Sequence, residues 1–193
     1  MQASLAFPQS ITERYRPMRV TDFAGLDKPK RILSNFARVP RPDAFLFVGP
    51  SGTGKTTMAL ALASELGAEL HHVGSQECTV AELEHVVHMC QYVPLRGGFH
   101  FILIDEADQM TDKAQLFLLS RLDATAFPPA TIFAFTCNDT SRLEARFLSR
   151  CKVLEFSSYG LSAPLVALLD KVWHAEGGNG NAPNFARLIK ESN

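Results

Sequence analysis

Short apolar runs alternate with longer segments of helical spacing through most of the chain. Phe45-Leu46-Phe47-Val48 is a continuous apolar run and predicts a buried strand. The Ala- and Leu-rich segment Thr56 to Leu66 predicts a helix, and Glu69 to Val73 a second strand. Thr79 to Tyr92 reads as a helix that turns Leu83, Val86, Val87 and Cys90 inward. Phe99 to Ile104 is a third strand, Asp112 to Leu122 a helix, and Thr131 to Thr136 a fourth strand. Arg142 to Ser149 predicts a short helix and Lys152 to Phe156 a fifth, buried strand. Strands that alternate with helices imply an α/β fold with a five-stranded parallel sheet covered on both faces.

The flanks follow other rules. Met1 to Val20 is polar, holds Pro8 and Pro17, and reads as an extended arm. Asp27 to Arg38 has helical spacing with Ile32, Leu33 and Phe36 on one side, and Pro40 and Pro42 then break it. After Ser157 the rhythm changes. Ser162 to Ala175 is an amphipathic helix carrying Leu165, Leu168, Leu169 and Val172, and Trp173 is expected to bury it against the sheet domain. A turn-rich "EGGNGNAP" follows, and Asn184 to Lys190 opens another helix. This divides the chain into a sheet domain with its arm, 1–157, and the start of a helical unit, 158–193.

Composition narrows the picture without redirecting it. A chain of 193 residues suits one domain and part of a second. At 46% hydrophobic and 20% charged it matches an ordinary soluble globular protein. A net charge of −1 gives no global sign of nucleic-acid binding. No charged start precedes an apolar run, so no signal peptide is expected, and no apolar stretch reaches bilayer length. Cys78, Cys90, Cys137 and Cys151 lack zinc-module spacing and read as four reduced thiols in a cytoplasmic protein. His71-His72 and the pair His85/His88 have no full ligand set at zinc-like spacing around them.

Two motifs carry chemistry. "GPSGTGKT" comprises Gly49, Pro50, Ser51, Gly52, Thr53, Gly54, Lys55 and Thr56, and Thr57 follows it. It fits G-x-x-x-x-G-K-[ST] between a strand and a helix, where backbone N–H groups and the helix N-terminus converge on phosphate. Lys55 is the candidate for the β- and γ-phosphates of ATP, and the Thr56 hydroxyl for Mg2+. "FILIDEAD", Phe101 to Asp108, is a buried strand from whose C-terminal end Asp105 emerges. Ligands gather at that end of a parallel sheet. Asp105 is the second Mg2+ candidate, and Glu106 the group that polarises the attacking water. Glu106 and Asp108 could alternatively be plain surface charges.

With these motifs in order, the sequence resembles the AAA+ ATPases. Within them it resembles the clamp-loader group: the small subunits of replication factor C and the bacterial DNA polymerase III gamma/tau and delta-prime subunits. The likeness covers about Thr12 to Phe156 and implies a P-loop three-layer sandwich with a helical lid. It identifies "TERYRP" and "DFAGLD" with the family's entry segment near adenine, making Tyr15, Arg16, Pro17 and Val20 candidate base contacts. It makes Asn138, in "TCND", the sensor that positions water or detects γ-phosphate. "LSRC" matches the Ser-Arg-Cys motif, which makes Arg150 an arginine finger acting in trans, with Arg146 a second candidate. The sensor-2 arginine of the family opens a later lid helix, so the lid is expected to be incomplete here.

There are departures. Leu119 and Ser120 stand where replication factor C subunits usually carry two adjacent arginines. The zinc cysteines of the bacterial pattern are absent, and the helix Thr79 to Tyr92 lacks arginine. The blander readings are a helix cap for Asn138, packing for Tyr15 and a helix C-terminal charge for Arg150. Geometry favours a partner for Arg150. It precedes the last strand, and even a five-residue strand separates the two sheet ends by roughly 17 Å. The resemblance implies an ATP-hydrolysing subunit of a clamp loader that works with neighbouring AAA+ subunits, as a homo- or hetero-oligomer such as a pentamer. Its further partners would be a sliding clamp and primer–template DNA, in the cytoplasm or at the nucleoid or nuclear site of replication. Competing readings are another AAA+ motor, such as a Holliday-junction branch-migration helicase or a protein remodeller, and an ATP-binding structural subunit.

Overall fold

The computed structural model describes residues 10–74, 78–95, 97–180 and 182–191. Five parallel strands form one sheet: β1 (Asp43–Val48), β2 (Glu69–Val73), β3 (His100–Ile104), β4 (Thr131–Cys137) and β5 (Lys152–Glu155). Their spatial order is β2-β3-β4-β1-β5. β1 runs parallel to β4 on one side and to β5 on the other, with Phe45 opposite both Ala134 and Lys152. The chain leaves β1 toward the far edge and later returns past it to reach β5. The C-terminal end of β1 is therefore a topological switch point, where α/β sheets bind ligands.

Alternate side chains feed two cores, one on each face. Phe45, Phe47, Phe101, Leu103, Ile132 and Ala134 pack with Leu33 and Phe36 of α2 (Asp27–Arg38) and with Met58 and Leu62 of α3 (Lys55–Glu65). Ala44, Leu46, Ile102, Ile104, Phe133 and Phe135 pack against α4 (Val80–Met89), α5 (Asp112–Arg121) and the single turn α6 (Ala145–Leu148). At about 1.5–3 kcal/mol for each fully buried large apolar side chain, these layers make the sheet a stiff platform for the loops at its ends. Central strands covered on both faces explain the unbroken apolar runs of β1, β3 and β4.

The edges and the flanks depart from expectation. β5 is an edge strand, with Leu154 as its one buried residue, rather than a buried strand. The helix predicted over Arg142 to Ser149 shrinks to α6. The buried amide of Gln115 donates to the Arg142 carbonyl at 3.0 Å and accepts from the Glu144 N–H at 3.2 Å, taking backbone groups a longer helix would use. The arm is not wholly extended: Ser10 caps a one-turn helix, α1 (Ile11–Arg14), and Val20–Asp22 form a 3-10 turn. The part of the arm before Ser10 lies outside the described residues.

The last two helices, α7 (Ser162–Ala175) and α8 (Phe185–Glu191), pack on each other and bury no residue fully. Trp173 does not bury α7 in the sheet domain; it is half-buried, with its ring against the backbone of Gly178. The N-terminal segment holds α7 instead. Leu161 presses on Gly25, and Glu176 accepts from Arg14 at 2.7 Å and from the Tyr15 hydroxyl at 2.7 Å.

Candidate functional site

Beyond the C-terminal ends of β1, β3 and β4 lies a cavity of about 470 Å3. Ser51, Gly52, Gly54, Lys55, Thr56 and Thr57 form one wall, and His72, Asp105, Glu106, Thr136 and Asn138 the other. Two glycines shape the first wall. Gly54 enters α3 with φ 88°, the left-handed region that glycine adopts without strain. A Cβ on Gly49 would collide with the Phe156 carbonyl oxygen, so the loop can leave β1 beside β5 only without a side chain.

Lys55 is buried at the helix entrance and folds back on its own loop. Its Nζ donates to the carbonyls of Gly49 (2.6 Å) and Pro50 (2.9 Å) and to Asn138 Oδ1 (3.1 Å). Burial pushes its pKa below the usual lysine value, partly opposed by the negative field of Asp108, Asp105 and Glu106. Three donations to neutral oxygens satisfy it, and among the described residues no carboxylate pairs with it directly. An incoming anion can displace these contacts, because a bond between two ionised groups is stronger than one from the ammonium to a neutral oxygen.

Asp105 lies across the cavity. Its Oδ1 accepts from the hydroxyls of Thr56 at 2.8 Å and Thr136 at 2.7 Å, and its Oδ2 lies 3.1 Å from His72 Nε2. Thr56 and Asp105 therefore present hard oxygen donors side by side, a set that suits Mg2+. Glu106 follows with φ 51°, a left-handed conformation that is uncommon for a residue with a side chain. Its N–H donates to Thr136 Oγ1 at 3.1 Å, which holds the turn. Strained positions of this kind gather at functional sites. Asp108 is buried rather than a surface charge, and its Oδ1 has no hydrogen-bond partner among the described residues.

Asn138 meets Lys55, so sequence positions 83 apart converge on one point. The neighbouring turn is capped by Asp139, whose Oδ1 accepts from the Ser141 N–H at 2.6 Å. Thr136 and His72 belong to the site although the sequence motifs single out neither. Thr136 is the next-to-last residue of β4, beside Asp105, and only the strand order β3-β4 reveals that adjacency.

Other candidates lie elsewhere. Arg150 does not line the phosphate cavity. Its Nη1 donates to the Arg146 carbonyl at 3.0 Å, a helix C-terminal contact, and its Nη2 lies 3.5 Å from Asp123 Oδ2. It shares an open depression with Arg146, Asp123 and Ser120. Tyr15 is engaged with Glu176, Arg16 is exposed and Pro17 half-buried, and none of the three lines the cavity. Val20 is a correction of a stronger kind. It is fully buried in the core, and its N–H donates to Glu65 at 3.1 Å, so neither its side chain nor its amide is open to a base. A second cleft of about 660 Å3 adjoins the first through Ser51 and Gly52. Its far wall is apolar: Leu161, Leu165, Leu168 and Leu169 of the α7 region.

Residues 45–159 match the model of the ATPase family associated with various cellular activities (AAA). The replication factor C small subunit of Picrophilus torridus is 33% identical over 153 residues, which cover 75% of this chain and 48% of that one. Small subunit 1 of Pyrobaculum arsenaticum is 35% identical, covering 75% and 46%. Replication factor C subunit 4 of Arabidopsis thaliana is 32% identical over 173 residues, covering 81% and 50%. The chain thus spans about half the length of the curated relatives it matches. Among solved structures, the Holliday junction branch migration motor RuvB of Thermotoga maritima aligns with TM-score 0.62 at 24% identity, covering 81% of this chain and 55% of that one. At that identity the likeness speaks to fold.

Proposed function

The chain belongs to the AAA ATPase family and resembles clamp-loader subunits within it; from that premise we propose that it binds and hydrolyses ATP as one subunit of a DNA-replication clamp loader. The observation that carries the catalytic part is the convergence of Lys55, Thr56, Asp105, Glu106 and Asn138 on one cavity at the switch point of the sheet.

The chemistry follows from these groups. Backbone N–H groups of Gly52 to Thr56 and the N-terminus of α3 attract the phosphates. Lys55 exchanges the Gly49 and Pro50 carbonyls for phosphate oxygens, and Asn138 moves with it or turns to the γ-phosphate. Thr56 and Asp105 would hold Mg2+, which when bound would supply positive charge to the phosphates. Glu106 orients and polarises the attacking water. The apolar wall of the second cleft, Leu161 to Leu169, gives the base a place next to the phosphates. It competes with Tyr15, Arg16 and Pro17 for that role.

Arg150 is assigned to a neighbouring subunit's γ-phosphate. Its present ion pair with Asp123 is on the surface, where such pairs add little stability, so it is readily exchanged for phosphate. The sliding clamp, primer–template DNA and adjoining AAA subunits are the partners this reading supplies, and the helices α7 and α8 belong to its lid. Of the alternatives, branch migration has fold likeness in its favour, while the curated relatives at 32–35% identity are replication factor C subunits.

Two substitutions test the site together by ATP binding and turnover. Lys55→Ala abolishes ATP binding. Glu106→Gln keeps binding and lowers turnover by about 10²–10⁴, the usual contribution of a positioned base. Unchanged affinity in Lys55→Ala, or unchanged turnover in Glu106→Gln, contradicts the assignment.

A further inference from the structure

A second cluster of metal-ligating side chains lies on the same sheet, away from the phosphate cavity. His71 is on edge strand β2, His100 opens β3 and Cys90 ends α4. They come from three elements and are distant in sequence, so no spacing motif announces them. Strand pairing sets Glu69 opposite His100, with His71 two residues further along the same face. Cys90 closes over that face from the helix layer. One ligand atom from each of His71, Cys90 and His100 lies within 4.8 Å of the other two.

The hydrogen bonds suit a metal. His100 Nε2 is 3.0 Å from the Tyr92 carbonyl, which can only accept, so Nε2 carries the proton and Nδ1 is a bare lone pair. An outer backbone carbonyl that fixes the tautomer is the usual support of a zinc-bound histidine. That lone pair faces His71 Nε2 at 3.0 Å. Two nitrogens on one tetrahedral zinc ion, each bonded at about 2.0 Å, stand roughly 3.3 Å apart. The sheet therefore already holds the two rings near ligand separation. Burial lowers the His71 pKa, which keeps the ring neutral and able to ligate. Burial pushes the Cys90 thiol up to about 11, while a hydrogen bond with Thr131 favours the thiolate. Cys90 and His100 are shielded from solvent and His71 is half-exposed, leaving an entry from the β2 edge.

We infer that His71, Cys90 and His100 form a zinc site that ties edge strand β2 and the end of α4 to β3. A soft thiolate with two imidazoles selects zinc-class cations over Mg2+. Binding releases the Cys90 proton and moves the His71 proton from Nε2 to Nδ1. Glu69 stands outside this cluster of three, its Oε2 3.8 Å from His100 Nδ1 and held by the Leu95 N–H, and it takes the fourth position by releasing that contact and swinging in. The bound ion is structural, since this cluster is not among the residues lining the ATP cavity.

Cobalt(II) alone, added to the full chain, is the probe. The site predicts one cobalt ion per chain with an intense thiolate-to-cobalt charge-transfer band, erased by equimolar Zn2+, and a higher melting temperature with Zn2+. Cys90→Ser removes the band. His71→Gln, at a half-exposed edge position that a folded chain tolerates, weakens cobalt affinity by at least about 10-fold, the lower range for losing even an outer support of a metal ligand. Asp105→Asn leaves the band intact. Absence of the band at millimolar cobalt overturns the site, as does a band that survives Cys90→Ser or is unaffected by His71→Gln. A band lost in Asp105→Asn moves the metal to the nucleotide cavity and overturns it too.

Discussion

Gly49 stands so close to Phe156 that any side chain there meets a backbone carbonyl, which has nowhere to go. Gly49→Ala is therefore expected to destabilise the fold by about 1–3 kcal/mol, the range for overpacking a filled site. A lower denaturant midpoint with unchanged slope is the reading that checks it, and an unchanged midpoint contradicts it. Such residue-level demands were partly legible in the chain. The glycines, Lys55 and Thr56 of "GPSGTGKT" and Asp105 and Glu106 of the acidic strand stand where their spacing put them. Thr136 and His72 were not legible, because each reaches Asp105 across strands, and pairing order is not written in local pattern. Val20 shows a related limit. An apolar residue near a ligand-binding segment and one in the core look alike until burial is known.

At the scale of elements, α6 and β5 set the direction of Arg150. The single turn of α6 ends at Leu148, the Arg150 side chain donates to the Arg146 carbonyl, and β5 then runs to Glu155 beside the phosphate loop. The residue thus sits at the opposite end of the strand from the ATP cavity of its own chain. Its capping contact is real, so the blander expectation was met in part. Arg150→Ala is expected to leave ATP affinity of the isolated chain intact and to lower turnover of the assembled protein by about 10³–10⁵, the range for arginine fingers. A fall in ATP affinity without assembly contradicts this. Element types were readable because buried strands are continuous apolar runs and the covering helices keep their spacing. Lengths were less so. The start of α6 depends on the buried amide of Gln115, and the exposure of β5 depends on its being an edge strand.

Across the whole molecule, the four cysteines make one coherent statement about pH. All are free, and burial raises Cys78 and Cys90 to about 11 and Cys137 and Cys151 to about 12, from an ordinary 9.0. The unfolded chain releases these protons first, so it holds fewer protons than the folded chain above pH 9.0 and stability falls with rising pH there. Thermal midpoints should decline from about that pH toward pH 11 to 12, while a midpoint that rises over this interval contradicts the thiol environments. No helix among the described residues is long and apolar enough to cross a membrane. The proposed assembly rests, within the sequence, on the Ser-Arg-Cys resemblance and on Arg150 preceding the last strand, since a partner leaves no periodicity in the chain. The decisive measurement is ATP turnover per chain across a range of protein concentration, for the wild type and Arg150→Ala side by side. The account predicts a wild-type rate per chain that climbs with concentration as sites gain a neighbour's arginine, and a variant rate that stays low and flat. A wild-type rate independent of concentration and equal to that of Arg150→Ala would contradict it.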